Sequence, residues 1–189
     1  MKFYPNELSF LLQSRVPSEL WLAIGILLCI GLACIFRMKK SKEQKWRYIG
    51  VLCLAIYVFI VLCNTVIFRT DGHTSRVLLI PFWSYVEAVK ESRSFYLIEN
   101  LLNIILFVPI GLFLKMTFRN INFIQILLCG LLFSLTIEIS QLILYRGWFE
   151  VDDLMHNTLG AILGYFIFKI LNLCMIKIYD QFRHSANSE

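Results

Sequence analysis

Long apolar runs separated by short polar breaks dominate the chain. Five of them reach the length of a membrane span: roughly Leu20 to Phe36, Tyr48 to Phe68, Leu97 to Leu114, Ile121 to Leu144 and Leu154 to Ile176. A hydrocarbon core of about 30 Å needs on the order of 20 apolar residues of helix, and each run comes near it. The pattern therefore predicts an all-α fold, a polytopic bundle of about five transmembrane helices. The chain reads as a single integral membrane domain over 1–189, with two spans in 1–75, three in 76–176 and a tail in 177–189.

Between the second and third runs, Ile80, Pro81, Phe82, Trp83, Tyr85 and Val86 are followed by Glu87, Lys90, Glu91 and Arg93. Aromatic rings beside polar groups suit the headgroup level, so this stretch is expected to lie on the outer interface, with a short helix after Pro81. It is either a simple anchor or a lid over whatever the bundle binds.

Composition agrees with the pattern. Of 189 residues, 58% are hydrophobic and only 16% charged, too few charges to clothe a water-soluble domain. The six cysteines all sit in apolar runs, without the spacing of a disulfide framework or a zinc site, and are expected to be buried apolar fillers. The net charge of +5 lies between the spans rather than along a polar face, which favours a bilayer over nucleic acid.

Charge also orients the bundle. Arg37, Lys39, Lys40, Lys42, Lys45 and Arg47 follow the first run with Glu43 as their only acid, which the positive-inside rule assigns to the cytoplasm. Positive charge after an apolar stretch, not before it, marks a retained span rather than a cleaved signal. Counting from this loop puts the amino terminus, the segment from Arg69 to Tyr96 and the connection from Tyr145 to Asp153 outside. The turn with Lys115 and Arg119 and the tail with Lys177, Arg183 and His184 fall inside. The chain is thus expected to be a multi-pass membrane protein with a cytoplasmic carboxyl terminus.

Candidate chemistry lies in polar side chains at membrane depth. Ser134, Glu138, Gln141 and Tyr145 recur at helical spacing along one stripe of the fourth span. Glu138 lies six residues before Leu144, about 9 Å from the outer end at 1.5 Å per residue. An acid at the helix centre costs roughly 2.5–3.5 kcal/mol, so Glu138 needs a partner, water or a proton. In the third span Asn100, Asn103, Phe107 and Gly111 share a face, with Pro109 inside the run. The fifth span opens with Asp152, Asp153, His156 and Asn157, then Gly160 and Gly164, a small-xxx-small pair for close helix approach. Three polar stripes are thus expected to meet in one outward-facing cavity. Each has a plainer reading: Asp152 as a helix cap, the asparagines as interhelical glue, His156 as packing. Arg146 is placed to pair with Glu138, Asp152 or Asp153.

At these residues the sequence resembles the VanZ-like family of small bacterial membrane proteins. The likeness runs from about Ile80 to Gly164. It includes Ile80, Pro81 and Phe82, then Asn100, Asn103, Phe107, Pro109 and Gly111. It continues through Glu138, Gln141, Arg146, Glu150, Asp152, Asp153, Asn157, Gly160 and Gly164; Glu150 stands where the family often has Asp. The resemblance implies a bacterial envelope protein whose founding relative confers resistance chiefly to teicoplanin, a glycopeptide with a lipid tail.

Three function classes stay open on the residues alone. The preferred one is a non-enzymatic protein that binds or excludes a lipid-tailed ligand at the outer leaflet, its partners being membrane lipid and a lipoglycopeptide or lipid-linked cell-wall precursor. The second is a membrane enzyme on a lipid-linked intermediate or phospholipid, with Glu138 and Asp153 as acid and base. The third is a small proton- or ion-coupled transporter, disfavoured by the lack of an internal repeat. No cofactor or metal is expected. The candidate site residues are Glu138, Gln141, Asp153, Asn157, Arg146, Asp152, Asn103 and Asn100.

Overall fold

A computed structural model describes residues 17–69, 76–91 and 94–186. The amino-terminal stretch and Arg93, both assigned above to the outer face, lie outside the described residues. So do the side chains of Arg183 and His184 in the tail.

The chain is nearly all-α and five of its helices are long and apolar enough to cross a membrane. They are α1 (Ser18–Arg37), α2 (Lys42–Leu62), α4 (Phe95–Thr117), α5 (Phe123–Ile143) and α6 (Val151–Ala186), with a short α3 (Trp83–Lys90) after Pro81. Each lies where hydropathy predicts. Two starts follow from their caps: Ser41 with Gln44 for α2 and Asn122 with Gln125 for α5 form reciprocal capping boxes. The last turn of α2 widens into a π-helical segment, Cys63–Ile67. Two two-residue strands, β1 (Val77–Leu78) and β2 (Phe149–Glu150), pair in parallel and tie the segment after α2 to the start of α6. Pairs so short leave no periodic trace in a sequence.

The centre of the bundle is the contact of α4 with α6, flanked by α5 on α6 and α2 on α4; α1 leans on α2. Glycines permit the central approach. A Cβ built on Gly111 would lie 1.8 Å from the Ala161 carbonyl oxygen, one on Gly160 2.2 Å from that of Ile104, and one on Gly164 1.9 Å from that of Val108. The two backbones therefore touch, and the expected small-residue seam is the α4–α6 interface. Phe107, Ile110, Ala161 and Tyr165 pack along it, joined by Val61, Ile126 and Ile137.

The cysteines depart from expectation. Among them Cys63 is buried and Cys53 half-buried, but Cys29, Cys34, Cys129 and Cys174 lie exposed on helix faces, as do Leu22, Ile105, Leu132 and Ile170. In lipid the outside of a bundle is as apolar as its inside, so an apolar run does not say which face is buried.

Candidate functional site: a roofed polar cluster at one end of the bundle

At the end of the bundle where α2 and α5 finish and α6 begins, polar side chains from all the surrounding segments are buried. Glu138 is 1% exposed and Ser134, Gln141, Asp152, His156, Asn157 and Asn100 are also buried. Buried polar groups in hydrocarbon need partners, and those partners define the site.

Asp152 belongs to α6 but caps another helix. Its carboxylate accepts the backbone N–H of Phe82 at 2.5 Å, the N–H of Ser84 at 2.9 Å and the Ser84 hydroxyl at 2.5 Å. These are the orphan donors at the start of α3, and a carboxylate also suits the positive end of that helix. Phe82 sits in the left-handed region, φ 63°, a conformation that disfavours a side chain and that the cap holds in place. Asn100 donates to the Ser84 hydroxyl at 2.9 Å, linking α4 to the same cap. Tyr85 and His156 join α3 to α6 again through a hydroxyl–imidazole hydrogen bond of 2.8 Å. Asp152 is thus a cap, as its plainer reading had it, but of the short helix α3 rather than of its own.

Beside this cap lies the acidic group. Glu138 accepts the Glu150 backbone N–H at 3.0 Å, so the fourth span holds the β2 strand over itself. Asp153 accepts from the Asn103 amide at 2.7 Å. Asn157 donates to Ser134 at 2.9 Å, while its own carbonyl oxygen is buried without a partner among the described residues. Glu138, Glu150 and Asp153 lie close enough to feel one another's charge, and each also feels Arg69. Glu150, in the connection between spans, has its carboxyl pushed up to about 8, first by burial, then by the Asp153 charge, with Glu99 and Asp152 adding and Arg69 opposing.

Arg69 is a member of this cluster that the sequence reading passed over. It follows the second span, and no acceptor among the described residues reaches its buried Nε. Gly147 makes room for it: a Cβ there would stand 3.3 Å from the guanidinium carbon and 3.3 Å from the Gln141 side-chain oxygen. A signal was present, since an arginine directly after a span at the end that the positive-inside rule calls outer runs against the rule and asks for a reason.

Arg146, expected to pair with the carboxylates, does something else. Its Nη1 donates to the Val66 carbonyl at 2.5 Å and to that of Ile67, and Gln141 donates to the Thr65 carbonyl at 3.0 Å. The π-helical end of α2 leaves these carbonyls without helical partners, and a cation at a helix carboxyl terminus is favourable. Arg146 is a cap across the bundle. Tyr145 also leaves its expected stripe. Helix α5 ends at Ile143, Tyr145 turns left-handed at φ 55°, and its ring is 64% exposed.

A roof covers the cluster. β1 and β2 cross it, Arg76 stacks 5.0 Å from the Trp148 ring, and Trp83 meets both Trp148 and Tyr96 edge to face. The polar groups meet as expected, but under this strand pair rather than open to the outside, with α3 laid beside them. Among the described residues no three His, Cys, Asp or Glu side chains gather in the way that would hold a metal ion.

The sequence profile of the VanZ/LLP1 family matches residues 46–172, which is well over half of the chain and takes in α2 through most of α6. The chain belongs to the VanZ/LLP1 family. Within it, Protein VanZ of Enterococcus faecium is 36% identical over 74 residues, 39% of this chain. That match spans 46% of the relative, so the chain covers about half of its length. No solved structure matches. The family match includes the second span, which carries Arg69 at its end, and so reaches further towards the amino terminus than the stretch from Ile80 to Gly164.

Proposed function

We propose that this VanZ-family membrane protein works in the bacterial plasma membrane with its acidic cluster at the outer leaflet, amino terminus outside and carboxyl terminus inside. There it binds a lipid-tailed ligand without chemical conversion, and a lipoglycopeptide such as teicoplanin is the ligand class in view. A lipid-linked cell-wall precursor has the same division into polar head and apolar tail.

The observation that carries this reading is the pairing of a roofed polar cluster with an apolar interfacial helix. Helix α3 is fastened to the cluster by the Asp152 cap, and Val89 on its other side is 80% exposed, with Val86, Phe82 and Ile80 also exposed. A ligand tail would lie against this face, and its head would meet Arg69, Glu138, Gln141, Asp153, Asn157 and Asn103. Asn100, Asp152 and Arg146 would hold the parts together. The six-cation loop between α1 and α2 supports the orientation.

Expression in a teicoplanin-sensitive bacterium tests the proposal. Lower susceptibility to teicoplanin than to a glycopeptide without a lipid tail, lost in Arg69→Met while the protein level holds, is the expected result. Unchanged susceptibility and unchanged surface binding of teicoplanin would refute it.

One observation favours a second reading, a membrane enzyme acting on a lipid-linked intermediate or phospholipid. Glu150, raised to about 8 and close to Asp153, has the range of a general acid near neutral pH. Purified protein that converts such lipids, with loss of turnover in Glu150→Gln, would replace the binding reading with this one.

A further inference from the structure

At the opposite end of the bundle, between the start of α2 and the turn joining α4 to α5, lies an open groove of about 870 Å³. That is within the span of roughly 300–1,000 Å³ usual for small-molecule sites. Its polar lining includes Arg47, Arg119, Glu43 and Gln125; Phe118 and Ile121 are apolar. We propose that this groove is a binding site for the headgroup phosphate of an anionic phospholipid, with Arg47 and Arg119 as its cationic ligands.

Each arginine is positioned by the fold. Arg47 is anchored through Nε, which donates to the Thr117 carbonyl at 3.3 Å at the end of α4. Arg119 sits on a turn that Lys115 holds by donating to the carbonyls of Arg119 at 2.5 Å and of Ile121 at 3.0 Å. The Gln125 side-chain oxygen accepts from the Asn122 N–H, which leaves its amide NH2 as the group it can offer an anion.

The present partner of Arg119 is Glu43, whose carboxylate forms an ion pair with it. Both side chains are about 60% exposed, and an exposed pair of this kind contributes little. A phosphate can therefore take the place of Glu43, since guanidinium groups bind its oxygens in pairs. The surroundings select the source of that phosphate. The site is at the end of two spanning helices, beside the loop with Lys39, Lys40, Lys42 and Lys45, and such basic pockets between spans suit anionic headgroups while Phe118 and Ile121 accept the start of an acyl chain.

Glu43 gives the proposal a sign. If it competes with the lipid for Arg119, its removal strengthens binding, whereas removal of either arginine weakens it. Native mass spectrometry of the full chain in mixed micelles of dioleoylphosphatidylglycerol and dioleoylphosphatidylcholine reads this directly. The expected result is preferential retention of phosphatidylglycerol, about five-fold weaker in Arg119→Gln and stronger in Glu43→Gln. Excess inorganic phosphate should leave the lipid in place. Equal retention of both lipids, or unchanged retention in Arg119→Gln and Glu43→Gln with wild-type melting temperatures, would overturn the site. Displacement by inorganic phosphate would overturn the lipid as its ligand. Arg119 is exposed and its substitution leaves the Arg47 anchor intact, so a folding failure is not built into the test.

Discussion

Asp152→Ala should release helix α3 while leaving the five spans in place. Three hydrogen bonds to the carboxylate are lost, two from the backbone N–H groups of Phe82 and Ser84 and one from the Ser84 hydroxyl. Loss of an N-cap alone costs about 0.5–2 kcal/mol, and hydrogen bonds to a charged group contribute about 1.5–3 kcal/mol. Some of that returns as the freed groups meet water, which leaves a net cost of about 2–3 kcal/mol. Such a cost lowers the ratio of docked to undocked α3 by roughly 30- to 150-fold. Eight residues are too few for a helix to persist on its own, so an undocked α3 melts. Hydrogen exchange measured by mass spectrometry in nanodiscs should then show fast exchange confined to residues 83–90. Asp152→Asn, with one acceptor oxygen left, should fall between. Unchanged protection of 83–90 in Asp152→Ala, or equal loss of protection across α4 and α6, would refute the cap as the fastening of α3.

Gly111→Ala and Gly164→Ala should each lower the melting temperature and the amount of protein in the membrane, because the new methyl meets backbone rather than a movable side chain. Overpacking of this kind costs about 1–3 kcal/mol or more, and Gly25→Ala, with open space around it, serves as the neutral control. Glu150 gives a pH dependence. Its carboxyl is raised from 4.5 to about 8 in the folded protein, so the folded state holds a proton that the unfolded chain releases, and this contribution to stability falls as pH rises from about 4.5 to 8. Melting measured across that window should show the decline, and Glu150→Gln should make it shallower. Glu138→Ala removes the acceptor of the Glu150 N–H, leaving a buried donor unsatisfied at about 1–3 kcal/mol. Glu138→Gln keeps an acceptor there, so melting should be lowered clearly in the first variant and less in the second.

The positions of the spans were legible because hydropathy at this length reports the bilayer itself. So was the stripe of Ser134, Glu138 and Gln141, since helical spacing puts these residues on one face and all three are buried. Which apolar residues face inwards was not legible, as the exposed cysteines show, for lipid and protein interior ask for the same side chains. The partners of the polar groups were hidden for a different reason. Arg146 and Asp152 act on segments 80 and about 70 residues away, and what they cap, the π-helical end of α2 and a left-handed Phe82, is a backbone geometry without a sequence periodicity. Tyr145 leaves its stripe because the helix stops two residues earlier, and Arg69 feels carboxylates, Glu138 and Asp153, that lie far along the chain where no local spacing marks them.

The central claim is that Arg69 and the carboxylates of separate spans form one electrostatic unit. A double-mutant cycle on thermal unfolding, with Arg69→Met, Glu138→Gln and the pair, tests it most directly. Arg69→Met removes the cation that opposes the carboxylate charges and Glu138→Gln removes one carboxyl from the same group, so the effect of the double variant should differ from the sum of the single effects by at least about 0.5 kcal/mol. Additive effects would mean that the two residues act independently and would contradict a shared site.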